Sequence, residues 1–253
     1  MHSSLGLKLA LTPGIIAAVT FAGRRWGALV AGWLSAFPVI SGPILFFLAI
    51  EHGPAFAGNA AMGTLSGILA FIAFYLAYAW SATRFSWPVS LSLALFAYTL
   101  SAGLLLAWFP PLYIGLPMIL AVLWISPRLF PVTAPQASAA TTHPDELLYR
   151  MIAAVTLVLA VTWASSAIGP RASGIAATFP VMGSILAVFS HRKQGAAYVG
   201  RLLRGMVFGL YSFTAFCLAL NLTLQTFSMT EAFLLSLAVA LLAQGMAWRL
   251  LKP

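Results

Sequence analysis

Between Arg84 and Arg128 the chain carries no charged side chain, and the stretches 26–50 and 152–170 are equally free of charge. About 20 apolar residues suffice for a helix to cross the hydrocarbon core of a bilayer. Runs of this length are therefore read as membrane helices. Composition agrees. The chain has 253 residues, 62% hydrophobic and 7% charged, with a mean hydropathy of +0.99. A soluble domain of that make-up would lack polar surface. The fold class expected is an all-α polytopic membrane protein.

Nine spans are expected, near 5–22, 27–50, 56–80, 87–108, 111–126, 148–168, 172–190, 197–221 and 230–250. The fifth is short and carries Pro110, Pro111 and Pro117. The stretch 127–147 is rich in Pro, Ala, Ser and Thr and reads as the one long linker. The apolar N-terminal stretch shows no small-residue cleavage site, so no cleaved signal peptide is expected. Cys217 falls inside an apolar span and reads as a packing residue. The formal charge of +9 is spread between spans, where it sets topology. No nucleic-acid partner is expected.

The sequence matches itself at an offset of 142 residues. Phe37-Pro38-Val39 meets Phe179-Pro180-Val181. Gly53, Gly58, Gly63 and Gly67 meet Gly195, Gly200, Gly205 and Gly209, and Phe71 and Phe74 meet Phe213 and Phe216. No gap is needed from residue 18 to about 100. The organisation expected is a first four-helix repeat over 1–108, a linker helix and loop over 109–147, and a second repeat over 148–253. The extra helix would make the second copy enter the membrane from the opposite side. With nine spans, 11 of the 13 Lys and Arg residues fall on one face, and only Lys8 and Arg171 on the other. By the positive-inside rule the N-terminus is expected outside and the C-terminus in the cytoplasm. Inverted repeats of this kind are a common plan for secondary transporters.

The helices near 37–43 and 179–184 are broken by proline and glycine. Pro38 and Pro43 cannot donate backbone hydrogen bonds, and the freed carbonyls must face protein or water. Ser41-Gly42-Pro43 reads as a fresh helix start, with a cap and an early proline. Pro180, Gly183 and Ser184 do the same in the second copy. Two helix N-termini would then meet near mid-membrane, an arrangement suited to an anion. Phe37, Pro38, Ser41, Gly42, Pro43, Phe179, Pro180, Gly183 and Ser184 are the candidate substrate-binding residues. The plainer reading is a proline kink held by its neighbours. Gly63/Gly67 and Gly205/Gly209 are spaced for close helix packing. Arg201 and Arg204 share a helix face and could attract an anion, or simply anchor the span at the interface. Gln244 and Asn221 read as helix-to-helix hydrogen-bonding groups.

The carboxylates are only Glu51, Asp145, Glu146 and Glu231, none of them at an expected mid-membrane position. A proton-coupled cation exporter usually needs one there. No His/Cys/Asp/Glu cluster has metal-ligand spacing, and no mid-depth serine has a histidine base. Neither an enzyme nor a cofactor or metal is expected.

The stretch 174–219, with its Phe179-Pro180 pair, polar turn "HRKQG" and glycine-spaced helix, resembles the GlpM-like family of small four-helix bacterial inner-membrane proteins. Residues 32–77 resemble a second copy. The resemblance implies a bacterial inner-membrane location and a loose link to exopolysaccharide production, and it carries over no catalytic residue. The function expected is a transporter for a small anionic or lipid-linked solute. A small-ion channel on the same plan and a non-transporting accessory subunit of exopolysaccharide or lipid biosynthesis are the alternatives. Membrane lipids, a small-molecule or ion substrate, and a second copy of the chain or biosynthetic proteins are the partners considered.

Overall fold

The structure, a computed structural model, describes residues 14, 17–38, 41–108, 111–132, 149, 151–153, 155–156 and 179–251. Lys8, Asp145, Glu146, Arg150, Arg171, Lys252, most of the first and sixth spans and the first part of the seventh lie outside the described residues, as does most of the expected linker. The described residues form helices and connecting turns with no strand among them. In chain order they are α1 (residues 17–26), α2 (Ala28–Ser35), α3 (Ser41–His52), α4 (Pro54–Ala82), α5 (Trp87–Ala107), α6 (Leu112–Ile125, tightening into a 3-10 turn over Ser126–Leu129), α7 (Val181–Thr223) and α8 (Met229–Leu251). Five helical segments are long and apolar enough to cross a membrane: Pro54–Ala82, Trp87–Ala107, Leu112–Leu129, Val181–Thr223 and Met229–Arg249. The span expected at 27–50 is divided into α2 and α3.

Three glycines turn the chain. Gly27 (φ 88°, ψ 173°), Gly53 (φ 89°, ψ 165°) and Gly195 (φ 78°, ψ 179°) occupy a backbone region open essentially to glycine alone. The Gly27 torsion brings α1 close to α2, so that a Cβ on Gly23 would stand 3.3 Å from the Cβ of Ala31. Gly195 bends α7 in the same way into two arms, 181–194 and 196–223. Gly53 and Gly195 are 142 residues apart. The same offset relates the start of α5 at Trp87 to the start of α8 at Met229. It also brings the end of α4 at Ala82 to within one residue of the end of α7 at Thr223.

α4 and the second arm of α7, matched by that offset, lie side by side and antiparallel. Near the start of α4 the Gly58 carbonyl accepts from Asn221 Nδ2, at the far end of α7, over 3.1 Å. Halfway along, Phe71 and Phe213 meet edge to face at 6.3 Å between centroids. Near the end of α4, Tyr78 Oη is 3.5 Å from Nδ1 of His191, beside the Gly195 corner. Phe71 and Phe213 are themselves matched residues, so the two helices touch at equivalent points. The buried Leu65, Ile68, Phe74 and Tyr78 of α4 and Leu202, Leu203 and Phe216 of α7 form the middle of the core.

Cations gather at one end of this pair. Trp80 Nε1 donates to the Leu129 carbonyl at 2.8 Å, next to Arg128 and Arg84. The Arg192 guanidinium lies 5.6 Å from the Trp87 ring, and Arg24 lines a pocket with Gln194 and Tyr198. The other end carries His52 against Phe56 and a capping box at the start of α8. There Glu231 accepts from both the backbone N–H and the Oγ of Ser228, at 3.0 and 2.7 Å.

Candidate functional site

The sequence forces a break after α2, because Pro38 has no N–H to give to Leu34. The Phe37 N–H turns to the Leu34 carbonyl instead, at 3.3 Å. The Trp33 carbonyl, which Phe37 would serve in an unbroken helix, accepts from Gln244 Nε2 of α8 at 2.9 Å. Gln244 and Asn221 both bridge helices, and each takes a backbone carbonyl.

The helical turn then restarts at the proline itself. The Pro38 carbonyl accepts from the Gly42 N–H at 2.9 Å. In the second half the Pro180 carbonyl accepts from the Ser184 N–H at 2.7 Å. Donor matches donor and acceptor matches acceptor at the 142-residue offset. Ser41 is itself helical rather than the cap, and Pro43 lies within α3. Pro180 (φ −76°, ψ 58°) makes an inverse γ-turn, closed by the Val181 N–H on the Phe179 carbonyl at 2.7 Å.

Pro38, Gly42, Pro180, Gly183 and Ser184 are all buried, while Phe37 and Phe179 are half-buried. Each helix start meets aromatic rings from the other half. A Cβ on Gly42 would stand 3.5 Å from Phe216 Cζ. A Cβ on Gly183 would stand 2.8 Å from Tyr75 Cε1 and 3.5 Å from Phe74 Cε1. Phe179 packs edge to face on Tyr98 at 5.7 Å. Phe74, Tyr75, Phe71 and Phe213 form a run of ring contacts that begins at the Gly183 start, while Phe216 at the Gly42 start packs on Phe233. Ser184 is 5% exposed, and its Oγ has no hydrogen-bond partner among the described residues. A buried hydroxyl left in that state costs about 1–3 kcal/mol.

The glycines after the Gly195 corner hold α2 tightly. A Cβ on Gly205 would collide with the Leu29 carbonyl, and one on Gly32 with the Leu202 carbonyl. A Cβ on Gly209 would stand 2.6 Å from Ala36 Cβ. Small residues of this kind let helices approach where lipid supplies no hydrophobic drive. Gly67 is buried and Gly63 half-buried on α4. Arg201 is half-buried and Arg204 exposed. Among the described residues no group of three or more His, Cys, Asp or Glu is placed to hold a metal.

Sequence reasoning missed three features: the pairing of Gln244 with Trp33, the Ser228–Glu231 cap, and the pocket beside Arg24. The cap was visible as Ser-x-x-Glu ahead of an apolar run. The other two depend on which helices become neighbours. The chain matches no protein-family model, no curated protein and no solved structure.

Proposed function

We propose that this chain is a membrane transporter for a small anionic or lipid-linked solute, built from two inverted repeats, with its substrate site at the two proline-initiated helix starts. The observation that carries the reading is the repeated turn: Gly42 N–H on Pro38 O and Ser184 N–H on Pro180 O. A lone proline kink needs no counterpart. Two at matched positions, each facing rings of the other half, are what an alternating site between two halves requires. The antiparallel contact of α4 with α7 at Phe71 and Phe213 supports the inverted plan. The unpartnered Ser184 Oγ supports a polar ligand there, and the Phe74 and Tyr75 rings over Gly183 would be the occluding layer.

The same reading takes the nine-span count, an outside N-terminus and a cytoplasmic C-terminus, with the cation-rich end facing the cytoplasm. It takes the chain as two fused copies of a GlpM-like unit in a bacterial inner membrane, without catalytic activity. Current on a solid-supported membrane carrying reconstituted protein tests the function. A saturable current with anions and none with cations is expected. An unsaturable flux down its gradient would make the protein a channel. Silence with every ion, together with a stable co-purifying protein, would make it an accessory subunit.

A further inference from the structure

α4 packs on α5, α6 and α7, yet one stripe of it stays open. Leu69, Ala73, Leu76, Trp80 and Arg84 follow one another by three or four residues, so they share one side of the helix. The first three are half-buried, while Trp80 and Arg84 are exposed. The stripe is therefore apolar along its length and ends in a cation. Trp80 Nε1 donates to the Leu129 carbonyl at 2.8 Å, which ties this end of α4 to the end of α6. Arg84 stands four residues beyond Trp80, and Arg128 is the residue before Leu129. Neither arginine has a protein counter-ion. Among the described residues the carboxylates are Glu51 and Glu231, both at the opposite end. The Arg84 side chain takes no hydrogen bond or ion pair among the described residues. Arg128 gives one N–H to the Trp124 carbonyl at 2.7 Å and rests 4.8 Å over the Trp124 ring, which leaves the rest of its five donors for another partner.

We propose that this stripe binds one anionic phospholipid, with its phosphate between Arg84 and Arg128 and an acyl chain along Leu76, Ala73 and Leu69. The guanidinium fork matches a phosphate oxyanion, and basic sites between membrane helices take anionic headgroups. Charge decides between lipids. A zwitterionic headgroup brings its own cation to two arginines that already lack a counter-ion, whereas an anionic one supplies the missing charge. The exposed rings of Trp80 and Trp124 set the depth, since tryptophan settles at the headgroup level. The stripe opens to the surface, so the chain needs no enclosed cavity. Ala73 leaves room on its floor between two leucines. The inference does not depend on the transport reading, because it rests on other residues and is read by binding alone.

The test titrates the full chain, delipidated in detergent, with phosphatidylglycerol or phosphatidylcholine and reads the first bound lipid by native mass spectrometry. Phosphatidylglycerol is expected to bind more tightly. Arg84→Gln and Arg128→Gln should each weaken it about tenfold or more and leave phosphatidylcholine nearly unchanged. Arg249→Gln is the comparison. It removes the same charge from an exposed residue of α8, a helix that packs on α7 and α3 rather than on α4, and it should leave both affinities as they are. Size-exclusion profiles select the variants that fold. Arg84 holds nothing in the fold, so Arg84→Gln decides the matter if Arg128→Gln, which removes a bond to the Trp124 carbonyl, does not fold. Equal affinity for the two lipids in the parent overturns the proposal. So does a loss no greater for Arg84→Gln than for Arg249→Gln, which would assign the attraction to the basic end as a whole.

Discussion

Gln244 of α8 donates to the carbonyl of Trp33 at 2.9 Å, and that carbonyl is available because Pro38 has ended α2. The break and the amide that satisfies it lie 211 residues apart in sequence. Gln244→Leu should therefore leave a half-buried carbonyl unpaired. The expected cost is about 1–3 kcal/mol, toward the lower end for a hydrogen bond between membrane helices. It would be read as a lower unfolding midpoint in detergent. Gln244→Glu at neutral pH should cost more, since it removes the donor and buries a charge.

The glycine corners should be intolerant for a backbone reason. Gly53→Ala and Gly195→Ala place a side chain in a region that costs about 1–3 kcal/mol. Gly103→Ala, on α5 with nothing within 4 Å of its added Cβ, should be neutral or slightly stabilising. Gly205→Ala should be the most damaging, because the collision is with the Leu29 backbone and α2 must move. Thermal unfolding of the four variants gives the ranking, and an equal loss at Gly103 would refute it.

Ser184 separates function from stability. Its hydroxyl stabilises nothing in the fold, so Ser184→Ala should unfold at the same temperature as the parent or a higher one. Transport should nonetheless fall, by about tenfold if the hydroxyl holds a charged solute through one hydrogen bond. A variant with parental transport would exclude Ser184 from the site.

Inversion of the halves can be read by labelling. His52 and Lys193 are exposed and flank matched corners. In a Cys217→Ala background, His52→Cys and Lys193→Cys should react with an impermeant maleimide from opposite sides of sealed vesicles. Labelling from the same side would mean that the halves are parallel.

Much of the helical arrangement was legible in the sequence, and the reason is visible in particular residues. Long uncharged runs marked α4, α5, α6 and α8. Proline at 38 and 180 marked the helix breaks, and the 142-residue offset linked Gly53 to Gly195. The offset carried no information on which helices become neighbours. That the two starts face Phe216, Tyr75 and Phe74 follows from the antiparallel packing of α4 on α7, and apolar residues at every position of a membrane helix leave no stripe to announce it. The pocket beside Arg24 was hidden for the same reason: Thr20, Ser190, Gln194 and Tyr198 converge only after two corners have turned. Arg201 and Arg204 stood out by charge, yet only Arg201 is drawn partly into the fold.

The most direct test of the account compares the parent with the Pro38→Ala/Pro180→Ala double variant on a solid-supported membrane, with folding verified by size exclusion and helical content. A saturable anion-driven current in the parent, lost in a folded double variant, is the predicted result. A double variant that carries the parental current would contradict the placement of the substrate site at the two broken helices.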